Sequence, residues 1–184
     1  MLIRILDLLL FFIIRIHHYI HRVYGLYWLR RIGVSGIKCQ IKGHGVIVKP
    51  KSVNLGDYVA IGERMFFVAS GGISIGDHTV ISRNCVIQTQ THDYDGAGLL
   101  PFGHEMICKS VRIGKAVWIG MNVTILPGVE IADGAVIGMN AVVTKSVPRG
   151  AICVGSPARV IKFRNLSEFD RLSVEGAFIN LERY

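Results

Sequence analysis

The chain has 184 residues, and no stretch of it is apolar for long enough to cross a bilayer. The uninterrupted apolar run Leu8 to Ile14 falls short of the ~20 residues that a spanning helix takes. Cysteine is scarce. Cys39, Cys85, Cys108 and Cys153 show no C-x-x-C spacing, which excludes a zinc ribbon or disulfide framework and reads as reduced thiols. No signal peptide or cleavage site is evident, so a cytoplasmic protein is expected. Acidic residues are nearly missing from the first 51 positions, where Asp7 stands against Arg4, Arg15, Arg22, Arg30, Arg31, Lys38, Lys42, Lys49 and Lys51. The rest of the chain is balanced, so the whole net charge of +8 belongs to the N-terminal part. Those charges interleave with apolar residues and no nucleic-acid recognition motif accompanies them, which excludes nucleic acid as the expected partner.

What the chain does have is a beat of six. From Ile113 to Val147 it reads Ile113-Gly-Lys-Ala-Val-Trp, Ile119-Gly-Met-Asn-Val-Thr, Ile125-Leu-Pro-Gly-Val-Glu, Ile131-Ala-Asp-Gly-Ala-Val, Ile137-Gly-Met-Asn-Ala-Val and Val143-Thr-Lys-Ser-Val-Pro. The first place is always Ile or Val. The fourth is small or turn-forming (Ala116, Asn122, Gly128, Gly134, Asn140, Ser146). Six fits neither a 3.6-residue helical turn nor a lone hairpin. It fits a solenoid in which each hexad is one short strand and one bend. First-place side chains then stack from coil to coil, and fourth-place Gly and Asn tolerate the positive φ of a tight corner. Three strands and three corners predict an eighteen-residue coil.

The same beat runs less cleanly upstream. Leu55-Gly-Asp and Ile61-Gly-Glu are six apart; Ile75, Ile81 and Ile87 resume after a two-residue slip near Gly71-Gly72. Ile37 to Asn54 are expected to form a first, irregular coil. Between Ile87 and Ile113 the beat vanishes, and Gln88 to Arg112 contains Thr91-His92-Asp93-Tyr94-Asp95-Gly96 and Pro101-Phe102-Gly103-His104-Glu105. This polar insertion predicts a loop thrown from one corner, the kind of segment on which function concentrates.

The N-terminal 36 residues form a separate arm. On a helix, Arg4, Asp7, Arg15, His18 and Arg22 share one stripe, interrupted by Phe11, opposite a face of Leu, Ile, Phe and Tyr. Tyr19, Tyr24, Tyr27 and Trp28 follow. A basic stripe, a wide apolar face and trailing aromatics predict membrane-surface contact through residues 1–31; packing against protein is the alternative. After the solenoid (37–163), residues 164–184 predict a cap, with Ser167 and Asp170 read as the start of a short helix.

Four segments together resemble a known family. Val117-Trp118-Ile119-Gly120, Ile125-Leu126-Pro127-Gly128-Val129, Val143-Thr144-Lys145 and Gly155-Ser156-Pro157-Ala158-Arg159-Val160-Ile161-Lys162 are similar to the hexapeptide-repeat acyltransferases, in the branch of the maltose and galactoside O-acetyltransferases and polysaccharide-modifying enzymes. The resemblance covers about residues 55 to 163. It implies a left-handed parallel β-helix, assembled as a homotrimer with its active sites between subunits. It also implies an acetyl-CoA-dependent transfer of acetyl to a saccharide hydroxyl.

Carried over position by position, the resemblance makes His92 the general base and Glu105 the residue that orients it, with His104 and Asp95 as alternatives for that second role. A sugar hydroxyl is a poor nucleophile, and an imidazole that takes its proton during attack contributes typically 10²–10⁴-fold. Backbone N–H groups at a corner would stabilise the oxyanion. The acetyl-CoA positions are Trp118, Met121, Met139, Thr144, Lys145, Arg159 and Lys162; the basic ones suit the phosphates of coenzyme A. No metal is expected, because His92 and His104 fall short of the three histidines a zinc site of the γ-carbonic anhydrase type needs. His17, His18, His21, His44 and His78 are expected at the surface or an interface.

The acceptor residues do not carry over, since the N-terminus is apolar and basic and the early coil reads Met65-Phe66-Phe67. This favours a lipid-linked or nascent cell-surface polysaccharide as acceptor, and a peripheral place on the inner face of the membrane. A serine, nucleotide-sugar amine or antibiotic acceptor, or a non-catalytic scaffold, are the alternatives.

Overall fold

The computed structural model describes residues 2–95 and 98–181, with backbone only at 2–6, 8 and 18. A helix, α1 (Leu2–Leu29), leads into a six-coil parallel β-solenoid. The first coil is β1 (Val34–Ser35), β2 (Gln40–Ile41) and β3 (Val46–Val48). The second is β4 (Val53–Leu55), β5 (Ala60–Ile61) and β6 (Phe66–Val68), and the third β7 (Ile73–Ile75), β8 (Val80–Ile81) and β9 (Val86–Gln88). A hairpin of β10 (Gln90–His92) and β11 (Met106–Cys108) then leaves the solenoid. The fourth coil is β12 (Val111–Ile113), β13 (Trp118–Ile119) and β14 (Thr124–Ile125), and the fifth β15 (Glu130–Ile131), β16 (Val136–Ile137) and β17 (Val142–Val143). The last closes with Val147 bridged to Ile131, then β18 (Ala151–Val154). β19 (Arg159–Phe163) folds back antiparallel on β18, and α2 (Leu166–Val174) follows.

The strands stack into three faces: A begins with β1, B with β2 and C with β3. First-place residues point inward as columns: Leu55, Ile75, Ile113 and Ile131 on A; Ile61, Ile81, Ile119 and Ile137 on B; Phe67, Ile87, Ile125 and Val143 on C. All twelve are buried. Each such side chain gains about 1.5–3 kcal/mol on leaving water, which is why the beat is strictest at this place.

Later coils keep the expected eighteen-residue period, Trp118 pairing with Val136. Early ones take twenty, Ala60 pairing with Val80. The two extra residues sit at the corner between faces C and A, in the 3₁₀ turn Pro50–Ser52 and at Ala69–Gly72, where Gly72 has φ 92°. In the third coil this same corner opens into the long loop. Thr89, wholly buried, anchors its root: its hydroxyl donates to the Val68 carbonyl (2.7 Å) and accepts from the Gly71 amide (2.8 Å).

Corner chemistry follows the fourth place. Ala116, Asn122, Gly128, Gly134 and Asn140 all have positive φ, between 53° and 83°. At the B–C corner the amides stack into a ladder, Asn84 donating to Asn122 (2.9 Å) and Asn122 to Asn140 (3.0 Å). Asn122→Leu should therefore destabilise the protein by about 2 kcal/mol, combining left-handed strain with lost hydrogen bonds. Asn122→Gly, which keeps the backbone at ease, should cost less than about 1 kcal/mol. Urea unfolding of both variants reads this; equal losses would refute the corner account.

The four cysteines are free thiols. Cys85 is fully buried and donates to the Gly120 carbonyl (3.2 Å); burial pushes its thiol up to about 11. Cys108, on β11, is exposed. A thiol reagent at pH 8 should thus modify Cys108 in the native protein and reach Cys85 only on unfolding, because the thiolate is the reactive form. Native-state labelling of Cys85 at a comparable rate would contradict its placement.

Both ends are covered. His21, Gly25, Trp28 and Leu29 of α1 close the N-terminal end: His21 meets Glu63 (3.4 Å) and the His44 ring, and a Cβ on Gly25 would run into the Ile41 carbonyl oxygen. At the other end, α2 is capped by Asn165, whose side chain accepts from the Glu168 amide (3.2 Å). This corrects the Ser167/Asp170 reading: the capping pair lies two residues earlier, and the Ser167 hydroxyl instead donates to Asn165 Oδ1 (2.7 Å). Arg149 pairs with Asp170 and lies over Phe169. Beyond α2 the chain returns along the solenoid, where Phe178 stacks on His78 (3.7 Å) and His78 on Tyr58 (4.8 Å). Gln40 donates to the Leu181 carbonyl (3.5 Å).

Candidate active site

The loop at the C–A corner carries His92 at the end of β10, opposite Met106 of β11. Its neck is tied by the Asp93 amide donating to the Glu105 carbonyl (3.2 Å), and the Gly103 amide donating to the Asp93 carbonyl (2.7 Å). The imidazole stacks on Phe102, centroids 3.8 Å apart and planes within 23°. The ring's Nδ1 is buried without a hydrogen-bond partner, while Glu105 is exposed. Within one chain, then, the Glu105 carboxylate does not accept from Nδ1, and Phe102 sets the ring plane. Phe102 was not singled out as a partner in the sequence; an aromatic ten residues downstream in an insertion gives no periodic cue.

The other site positions fall into three groups. Thr144 and Lys145 follow β17 at the C–A corner, the corner of the loop, and both are exposed. Lys109, which ends the loop, lies alongside Gly128 at this corner. Met121 and Met139 instead lie at the B–C corner, stacked through the Asn140 amide donating to the Met121 carbonyl (3.0 Å). Trp118 is on face B and 56 % exposed. Arg159 and Lys162 lie on β19 at the far edge of that sheet, both exposed. The chain thus places His92, Glu105, Thr144 and Lys145 on the C–A side, Met121 and Met139 at the B–C corner, and Trp118, Arg159 and Lys162 in the face-B sheet.

Face C lies between the C–A and B–C corners. Its outward column is Val46, Phe66, Val86, Thr124 and Val142, with Phe66 41 % exposed. Face A presents Asn54, Ser74, Arg112 and Glu130, and face B is partly covered by the chain's own C-terminal segment. A cavity of about 580 Å³ remains beneath that segment, lined by Val80, Trp118, Arg164, Phe169, Phe178 and others. Burial lowers the Arg164 pKa from its ordinary value. His92 does not line this cavity. Among the described residues no group of His, Cys, Asp and Glu is placed to hold a metal ion.

Comparison with known proteins fits this architecture. The family model for the bacterial transferase hexapeptide (six repeats) matches residues 110–145. A protein of Escherichia coli named as a colanic acid biosynthesis acetyltransferase is 34 % identical over 130 residues, 66 % of this chain and 68 % of that one. The chain belongs to the hexapeptide-repeat acyltransferases. A second E. coli relative of this acyltransferase, named for O-acetyl transfer in lipopolysaccharide biosynthesis, is 32 % identical over 71 % of this chain and 67 % of its own. Among solved structures, a hexapeptide-repeat acetyltransferase of Vibrio cholerae superposes with a TM-score of 0.68 at 29 % identity, covering 75 % of this chain and 77 % of that one. Its complex with acetyl coenzyme A gives 0.65 at 27 %, covering 76 % and 75 %.

Proposed function

We propose that this acyltransferase moves an acetyl group from acetyl-CoA to a hydroxyl of a saccharide, within cell-surface or lipid-linked polysaccharide synthesis. The observation that carries the reading is His92, held on a tied loop at one solenoid corner with its ring plane fixed by Phe102. The acetyltransferase names of the two E. coli relatives, and the acetyl coenzyme A in the V. cholerae neighbour, support the donor and the acceptor class.

In the reaction, the acceptor oxygen attacks the thioester carbonyl carbon as the imidazole takes its proton. The tetrahedral oxyanion is met by backbone N–H groups at a corner. The C–S bond then breaks, and the imidazolium returns its proton to the leaving thiolate, giving an O-acetyl ester and free coenzyme A. In this mechanism Nε2 takes the role of base, which leaves the proton on Nδ1, the buried nitrogen. A buried N–H of that kind needs an acceptor, and the Glu105 carboxylate supplies it once the site is complete. Lys145, Arg159 and Lys162 hold donor phosphates through charge-assisted hydrogen bonds; Trp118, Met121, Met139 and Thr144 line the donor.

The site is completed by a second copy. His92 and the Met121–Met139 corner flank face C, whose outward residues Val46 and Phe66 are exposed and Val86, Thr124 and Val142 partly so, and packing this face against a neighbour would appose one copy's loop with the other's donor surface. A homotrimer closes this arrangement.

Product chemistry tests the reading. With acetyl-CoA and a panel of saccharides, the product should be an ester, cleaved by alkaline hydroxylamine to acetohydroxamate. An acetyl group that resists it would be an amide and would move the acceptor to an amine.

A further inference from the structure

Helix α1 is 28 residues long, roughly 42 Å at 1.5 Å per residue, and only its C-terminal third is needed to dock it. At 100° per residue, the docking side (His21, Gly25, Trp28) lies opposite a side bearing Leu9, Phe12, Ile16, Ile20, Val23 and Tyr27. These six are 44–57 % exposed. So much apolar surface directed away from the body cannot belong to the solenoid core. One flank carries Arg15 and Arg22, and Arg30 and Arg31 follow directly past the end of the helix; all four are exposed, and Arg31 lies over the Tyr27 ring (4.7 Å). The charge excess of the protein is confined to this end, where the first 51 residues hold nine bases and one acid.

We infer that α1 seats the protein on an anionic lipid surface, lying in the interface with its apolar side among the acyl chains and its arginines at the headgroups. Three observations select lipid over a protein partner: apolar exposure continues along the helix rather than forming a short patch, arginines border it at Arg15 and Arg22 and follow its end at Arg30 and Arg31, and tyrosines sit where the helix meets the body. A spanning arrangement does not fit, since among the described residues no helix is long and apolar enough to cross a membrane. Each arginine near an anionic leaflet adds to binding, and salt weakens it.

One consequence rests on the acetyltransferase reading. The catalytic loop leaves the third coil, two strand spacings or about 10 Å along the solenoid from the coil that α1 caps. An acceptor hydroxyl reached from there lies within a few sugar units of the lipid.

Flotation of the full chain with vesicles tests the inference without any activity assay. Binding is expected to vesicles containing phosphatidylglycerol, at least tenfold tighter than to phosphatidylcholine alone, and to fall as salt rises. Arg15→Glu with Arg22→Glu should lose at least tenfold of it, and so should Phe12→Ser with Ile16→Ser, while circular dichroism stays that of the wild type. Equal binding to both vesicle types, or none to either, would overturn the inference. So would a change of oligomeric mass in the Phe12/Ile16 variant with lipid binding unaltered, which would mark the face as a contact between copies.

Discussion

Replacing His92 with alanine should lower kcat for acetyl transfer by about 10²-fold or more while leaving acetyl-CoA affinity within about twofold. The two halves of this expectation have different origins. Proton removal is needed only as the hydroxyl attacks, so its loss appears in the chemical step. Of the residues proposed to bind the donor, Trp118, Arg159 and Lys162 belong to the face-B sheet and Met121 and Met139 to the B–C corner, away from His92, and the substitution removes none of them nor Thr144 and Lys145. His92→Gln, which can hydrogen-bond but not accept the proton, should be about as slow as alanine. A fall in affinity with kcat preserved would make His92 a binding residue and remove the mechanism. Phe102→Ala should give a smaller loss, since it frees the ring without removing it.

The second large effect is on stability. Phe67 is fully buried in the inward column of face C, between Ile47 and Ile87, and Phe67→Ala should cost about 3–5 kcal/mol. Neighbouring coils cannot close on the gap, because each backbone is pinned by parallel pairing above and below. Its neighbour Phe66 points the other way, 41 % exposed. Phe66→Ala should barely change unfolding of a single chain but weaken association through face C. Urea midpoints with sedimentation would separate the two. Similar stability losses in both variants would contradict the assigned directions of β6.

These two phenylalanines show what was legible in the sequence. A strict six-residue period fixes phase, and phase decides which residue of a strand is inward; hence the columns of face B and the corner positions Asn122 and Gly134 follow directly from the repeat. The twenty-residue early coils were visible only as a slip at Gly71-Gly72, because the extra residues form a turn that carries no period. That slip marks the corner from which the loop emerges, a link that stacking alone reveals. The site was legible as residue types, not as an arrangement. Repeats say that Met121 and Met139 stack, yet they do not say that Thr144 stands across face C from them, or that the C-terminal segment covers face B through Phe178 and His78. Those contacts join residues about a hundred positions apart through ring stacking without periodic signal. The cap of α2 was misplaced for a local reason: Ser167 is a good capping type, but Asn165 three residues before Glu168 satisfies the amide geometry.

The account stands most directly on the donor. Calorimetric titration with acetyl-CoA, followed by free-thiol release in the presence of saccharide acceptors, measures it. Saturable binding, with thiol release that rises on adding acceptor and stays at background in His92→Ala, is the predicted result. Absence of acetyl-CoA binding would contradict the account and leave the solenoid as a scaffold.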